Sequence, residues 1–202
     1  MARERGSGRD LKRGLILEAA RKVFEAEGLD GASLRAIAAE AGYTPPALYF
    51  HFASKEAIYA EVLQASLAGL SEVVTQAAAP ARDPAERLRR ASLAFFDFYA
   101  ANPRDLDLGF YLFRGGMKPQ GLGRERDEAL NAALADALRP IAGAAEALGA
   151  TQTEANILTA DVFAHAAGLL LLAHTGRIRM FGISAPELMA RHVAAWIERL
   201  SG

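Results

Sequence analysis

No cysteine occurs anywhere in the chain, which removes disulfides, thiolate metal sites and cysteine nucleophiles together and makes an intracellular setting the simplest reading. Strand signals are nearly as scarce, with no period-two alternation of β-branched residues and no hairpin signature. Long hydrophobic runs are missing too. The longest, AAGLLLLA at 166–173, falls far short of the roughly 20 residues that span a bilayer, and the charged start MARERGSGRDLKRG has no apolar segment behind it. These features predict a cytoplasmic chain, neither exported nor membrane-spanning. Neither charge dominates: the formal net charge is −1, so no overall basicity announces a nucleic-acid partner. The four histidines show no metal spacing, since His165 and His174 are nine apart, His192 has no His or Glu one turn away, and no His-Glu-x-x-His occurs. No metal, cofactor or catalytic residue is expected, and no Ser-His-Asp arrangement is suggested by context.

Helical periodicity is plentiful, and 51% apolar composition over 202 residues is ample for a core. Ile16, Ala20, Val23 and Phe24 share one face of a first helix over about residues 10–27, stopped by Gly28. Ser33 is a good N-cap for a short second helix with Leu34, Ile37, Ala38 and Ala41 on one face and Gly42 as its stop. Thr44 can cap a third helix that opens on Pro45 and Pro46, where the missing N–H groups have no intrahelical partner. Ser54 caps a long fourth helix running to about Ala79. Asp83-Pro84 opens a fifth, to about Ala101, and a sixth covers about 104–114. RGGMKPQGLG at 114–123 reads as a connector. A seventh helix spans about 124–148 with a kink near Pro140, and an eighth about 153–175. The ninth begins at the capping box of Ser184 and Glu187. The fold class is all-α, about nine helices.

A two-turn helix, the turn Gly42-Tyr43-Thr44 and a second short helix match a helix-turn-helix. Leu48 and Phe52, four apart, face the second helix and leave Pro45, Pro46, Ala47, Tyr49 and Phe50 around the N-terminus and outer face. That surface suits a major groove, where thymine methyls accept apolar contacts. The third helix lacks the Asn, Gln, Arg or Lys that bidentate base readout needs, so hydrogen-bonded base reading falls to Arg35. Ser33, Thr44, Tyr49, His51 and Lys55 can donate to phosphate oxygens. Tyr49 could instead pack at the core edge, His51 could be a packing histidine, and Lys55 alone would be a solvated charge. Arg3, Arg5, Arg9, Lys12 and Arg13 form a basic arm that either screens phosphates or is a solvated terminus.

ASLRAIAAEAGYTPPALYFHFASKEAIYAEVL, residues 32–63, resembles the DNA-binding signature of the TetR family of bacterial transcription regulators. The Ser-Leu-Arg opening, Ile37-Ala38, Ala41-Gly42, Thr44, Leu48-Tyr49, His51-Phe52 and Lys55-Glu56 carry the resemblance, which covers about residues 10–63. It implies a helix-turn-helix DNA-binding domain, 1–60, and a ligand-binding and dimerisation domain, 61–202. It also implies a homodimeric regulator, most often a repressor, that binds a palindromic double-stranded operator and is released by a small-molecule effector. A base-contacting residue at Arg35, and phosphate contacts at Tyr49, His51 and Lys55, follow from the same resemblance. The other reading is a helical small-molecule-binding or enzymatic protein whose helix-turn-helix serves protein contacts.

In the remainder, aromatic and polar residues mix on consecutive helices, so Phe96, Tyr99, Phe110, Tyr111, Arg114, Asn131 and His165 are candidate effector-pocket residues, with ordinary core packing as the alternative for the aromatic stripe. The eighth helix is apolar nearly all round towards its end, which calls for burial on several sides. Leu169, Leu172, Leu188, His192, Val193 and Trp196 are therefore candidate dimer-interface residues.

Overall fold

The computed structural model describes residues 2–110 and 122–201, and among these it forms helices with no strand. In chain order they are α1 (Ala2–Gly31), α2 (Leu34–Glu40), α3 (Pro45–Tyr49), α4 (Lys55–Ala78), α5 (Pro84–Ala101), α6 (Pro103–Phe110), α7 (Arg124–Ala147), α8 (Gln152–His174) and α9 (Ala185–Ser201). A 3₁₀ turn at Arg177–Phe181, bracketed by left-handed Gly176 (φ 71°) and Gly182 (φ 65°), joins α8 to α9. The connector at 114–123 falls mostly outside the described residues.

The helix starts follow the expected caps, with one correction. Ser33 Oγ accepts from the Ala36 amide at 3.1 Å, Ser54 Oγ from Ala57 at 3.2 Å, and the Asp83 carboxylate from Glu86 at 3.1 Å. Thr44 occupies the N-cap of α3, but its side chain makes no capping hydrogen bond. The reason lies in the donors. Pro46 at the second position has no N–H, and the Ala47 amide at the third is taken by the Thr44 carbonyl at 2.9 Å. The helices differ from expectation elsewhere as well. α1 begins at Ala2, not near residue 10, and Gly28 (φ 71°, ψ 176°) interrupts it before one more turn. α7, by contrast, spans Arg124–Ala147 with Pro140 inside it, close to its expected bounds. A Thr151–Glu154 capping box opens α8.

The chain packs as two compact units, Met1–Ser66 with Arg104–Asn131, and Leu67–Pro103 with Ala132–Gly202. The first boundary falls inside α4, and residues 104–110 and 122–131 pack with the N-terminal unit. In the first unit, Ile16, Ala20 and Phe24 of α1, Ile37 and Ala38 of α2, Leu48 and Phe52 around α3, and Ile58 and Tyr59 of α4 form one core, joined by Leu108 and Leu122. The rings of Phe24 and Tyr59 meet edge to face at 4.8 Å. Two polar ties hold α6 there. Arg21 pairs with both oxygens of buried Asp105 at 2.7 and 2.8 Å, and the Tyr59 hydroxyl donates to the Leu108 carbonyl at 2.6 Å.

In the second unit α5, α8 and α9 pack on one another. Leu88, Phe95, Phe96, Leu158, Val162, Met189 and Val193 are buried there, with Phe95 against Tyr99 and Phe163 at 5.4 and 5.6 Å between ring centres. By length and composition α4 and α8 are apolar enough to cross a membrane, although neither contains an unbroken apolar run of that length. Only 28% of the apolar window of α8 is buried within the chain, against 39% for α4.

Candidate nucleic-acid interface

α2 and α3 are placed by what they bury. Ile37 and Ala38 turn one face of α2 into the first unit's core, and Leu48 and Phe52 do the same for the segment around α3. Truncating Leu48, fully buried, carries the cost of a core leucine, about 2–5 kcal/mol. A helix of five residues has almost no stability of its own, so these anchors and its neighbours decide where its outer face points.

That outer face is open. Tyr49 is 61% exposed and Phe50 82% exposed, so among the described residues neither ring is a core side chain. Pro46 and Thr44 are exposed, and Pro45 and Ala47 half-buried. Arg35 and Ser33 stand exposed at the start of α2, with the Ser33 hydroxyl oxygen accepting from the helix. Thus eight of the ten candidate residues, Ser33, Arg35, Thr44, Pro45, Pro46, Ala47, Tyr49 and Phe50, lie on two short helices or at their ends. Exposed aromatic and apolar groups on and just after α3, with an exposed arginine on the neighbouring α2, are of the kind found at interaction surfaces.

The remaining two are less simple. His51 is half-buried, and its Nδ1 is buried without a hydrogen-bond partner among the described residues. Lys55 turns inward. Its Nζ donates to the carbonyls of Leu29 at 2.8 Å and Ala32 at 3.2 Å, with Asp30 at 3.4 Å. The ammonium thereby serves the carbonyls exposed where Gly28 breaks α1, a structural use that the sequence pattern did not disclose. Arg13, placed in the basic arm by sequence, also turns inward and pairs with Glu61 of α4. Nothing local marks that partner, which is 48 residues away.

The other candidate residues are dispersed. Phe96 and Tyr99 are buried in the second unit, Asn131 is exposed in the first, and Tyr111, Arg114 and the side chain of Phe110 lie outside the described residues. Leu169 and Val193 are buried in their own chain, whereas Leu172, Leu188, His192 and Trp196 are half-buried. His165 and His192 stack face to face at 3.9 Å, 11° from parallel. Asp161 accepts from the Trp196 indole at 2.6 Å and lies 3.0 Å from His192 Nε2. Burial, then the neighbouring His192, pushes the pKa of His165 below its ordinary 6.5, with Asp161 and the Leu188 backbone partly offsetting them. An imidazole that resists protonation only when folded favours the unfolded chain as pH falls, because the unfolded chain binds the extra proton. Its contribution is complete above the ordinary histidine range and is lost progressively below it. Urea midpoints at about pH 8 and pH 5.5 are expected to fall further in the natural chain than in His165→Asn; equal falls would contradict this.

Residues 16–62 match the family described as bacterial regulatory proteins, tetR family. The transcriptional activator FasR of Mycolicibacterium smegmatis is 44% identical over 90 residues, 45% of this chain and 41% of FasR, so the match spans less than half of that relative's length. The transcriptional repressor NicS of Pseudomonas putida is 27% identical over 196 residues, 95% of this chain and 90% of NicS. The fold is shared with the regulator FadR of Bacillus subtilis, solved in complex with stearoyl-CoA. That likeness has a TM-score of 0.70 at 15% identity and covers 91% of this chain and 96% of FadR.

Proposed function

Because the chain belongs to the TetR family of bacterial regulatory proteins, we propose that it is a dimeric transcriptional repressor that reads a palindromic operator with α2 and α3 and leaves it on binding a small-molecule effector. The observation that carries the reading is the open face of α3, with Tyr49 and Phe50 exposed between the buried anchors Leu48 and Phe52 in the chain. Apolar contact with thymine methyls and sugar edges is what such a face offers, and Arg35 adds a group able to bond guanine. Ser33, Thr44, Tyr49 and His51 are its phosphate contacts. Lys55, engaged by three carbonyls, acts mainly by holding the start of α4. Repression is favoured by NicS, a named repressor matched over nearly the whole chain.

The dimer forms through α8 and α9. Ala160, Ala164 and Gly168 follow one another at four-residue spacing on the exposed side of α8, and Ala190 and Ala194 do so on α9. Small residues in such rows let two helices approach closely. A second copy supplies the burial that α8 lacks within its own chain. Leu172, Leu188, His192 and Trp196 flank these rows, while Leu169 and Val193 support them from inside.

The effector occupies the second unit, where Phe96, Tyr99 and His165 are the candidate lining. Long-chain acyl-CoA is the first class to titrate, since one protein of this fold was solved with stearoyl-CoA. An effector shifts DNA affinity only as far as it prefers one conformation over another. α4 contributes residues to both units and is the proposed carrier of the change. Duplex binding in a KCl series tests the reading. A steep linear fall of log affinity with log salt is expected, and binding that is insensitive to salt would refute it.

A further inference from the structure

We infer that Arg13 is the positioning residue of the reading helix, setting operator discrimination without touching DNA; this rests on the DNA-binding reading above. α3 is five residues long, and no side chain caps its start. Leu48 and Phe52 fix which face of the segment is buried, yet apolar contacts are non-directional and leave its tilt and slide open. A directional side-chain bond at its far end adds the missing constraint, and Arg13 supplies it.

The Arg13 guanidinium uses its edge and its face. Nη1 donates to the His51 carbonyl at 2.9 Å, Nε donates to Glu61 at 3.0 Å, and Nη2 pairs with the second oxygen of Glu61. Its plane lies over the Phe52 ring, 4.3 Å from the centre. α1, His51 and Phe52 just beyond α3, and the second turn of α4 are thereby tied at a single point. The fork geometry matters as much as the charge. A lysine at 13 keeps the charge but has no planar set of donors that reaches a carboxylate and a carbonyl together. Arg13 is thus withdrawn from the basic arm, and a displacement of α4 at Glu61 is conveyed to the end of α3.

The test uses the full-length chain, an operator duplex enriched from random sequence, and a scrambled duplex of equal length. Arg13→Lys and Glu61→Gln are each expected to lower the ratio of operator to scrambled affinity about tenfold, with the salt slope unchanged, and the double variant to lower it no further than either alone. A ratio that stays at the natural value in both single variants overturns the assignment. So does a parallel loss on both duplexes with the slope reduced by about one, the mark of a phosphate contact. A natural chain that enriches no sequence removes the DNA-binding reading and this one with it. Enrichment by the natural chain with unaffected variants removes this one alone.

Discussion

Gly168→Arg is expected to leave each protomer folded and to abolish its dimer. A Cβ built at Gly168 meets no atom of the chain within 4 Å, the residue sits on the exposed side of α8, and arginine is a far better helix former than glycine. Among the described residues, nothing crowds the first carbon of the new side chain. In the proposed seam, Gly168 follows Ala160 and Ala164 where two copies approach most closely, and symmetry brings two unpaired guanidinium groups into one contact. Leaving a charge buried and unpaired costs several kcal/mol, so the dimer weakens by on the order of a thousandfold. Sedimentation at micromolar concentration is expected to report a monomer with a circular-dichroism melt close to that of the natural chain. An unaltered dimer would place the interface elsewhere.

The second large effect concerns the reading face itself. Tyr49→Ala with Phe50→Ala is expected to cost about a hundredfold or more in operator affinity, with folding stability changed by roughly 0.5 kcal/mol or less, the usual range for exposed positions. At 61% and 82% exposure the two rings contribute little to the first unit's core. Leu48→Ala, one residue away, has the opposite signature, because the lost leucine destabilises the whole unit. Anisotropy titration beside thermal melts separates the two. Natural affinity in the double variant would show that the aromatic face is not a DNA surface.

What could be read in the sequence follows from the range of the interactions involved. Ser33, Ser54 and Asp83 announce their helices because a cap and its amide lie within three residues. The i, i+4 pair Leu48 and Phe52 is equally local, and both are buried as their spacing predicts. Thr44 misled because the donors a cap needs are removed by Pro46 and by the Ala47 amide bonding the Thr44 carbonyl. Placing α6 with the N-terminal unit depends on contacts such as Arg21 with Asp105, 84 residues apart, and Tyr59 with Leu108, 49 apart, which no local pattern encodes. Charged side chains depend most on distant partners. Lys55 and Arg13 read as solvated or phosphate-facing groups, and both serve the interior through backbone carbonyls and a distant carboxylate. α8 shows the converse case. Its near all-round apolarity calls for burial; Leu169 finds it inside its own chain, while Ile157, one of the apolar residues that make up the pattern, stays 56% exposed.

The most direct measurement is enrichment of duplexes from a random-sequence library by the full-length chain. The proposed two-fold dimer, reading with one α3 per protomer, predicts an inverted repeat whose half-site centres lie about 34 Å apart or a multiple of that distance. Recovery of no common sequence, or of a single site without inverted symmetry, would contradict it.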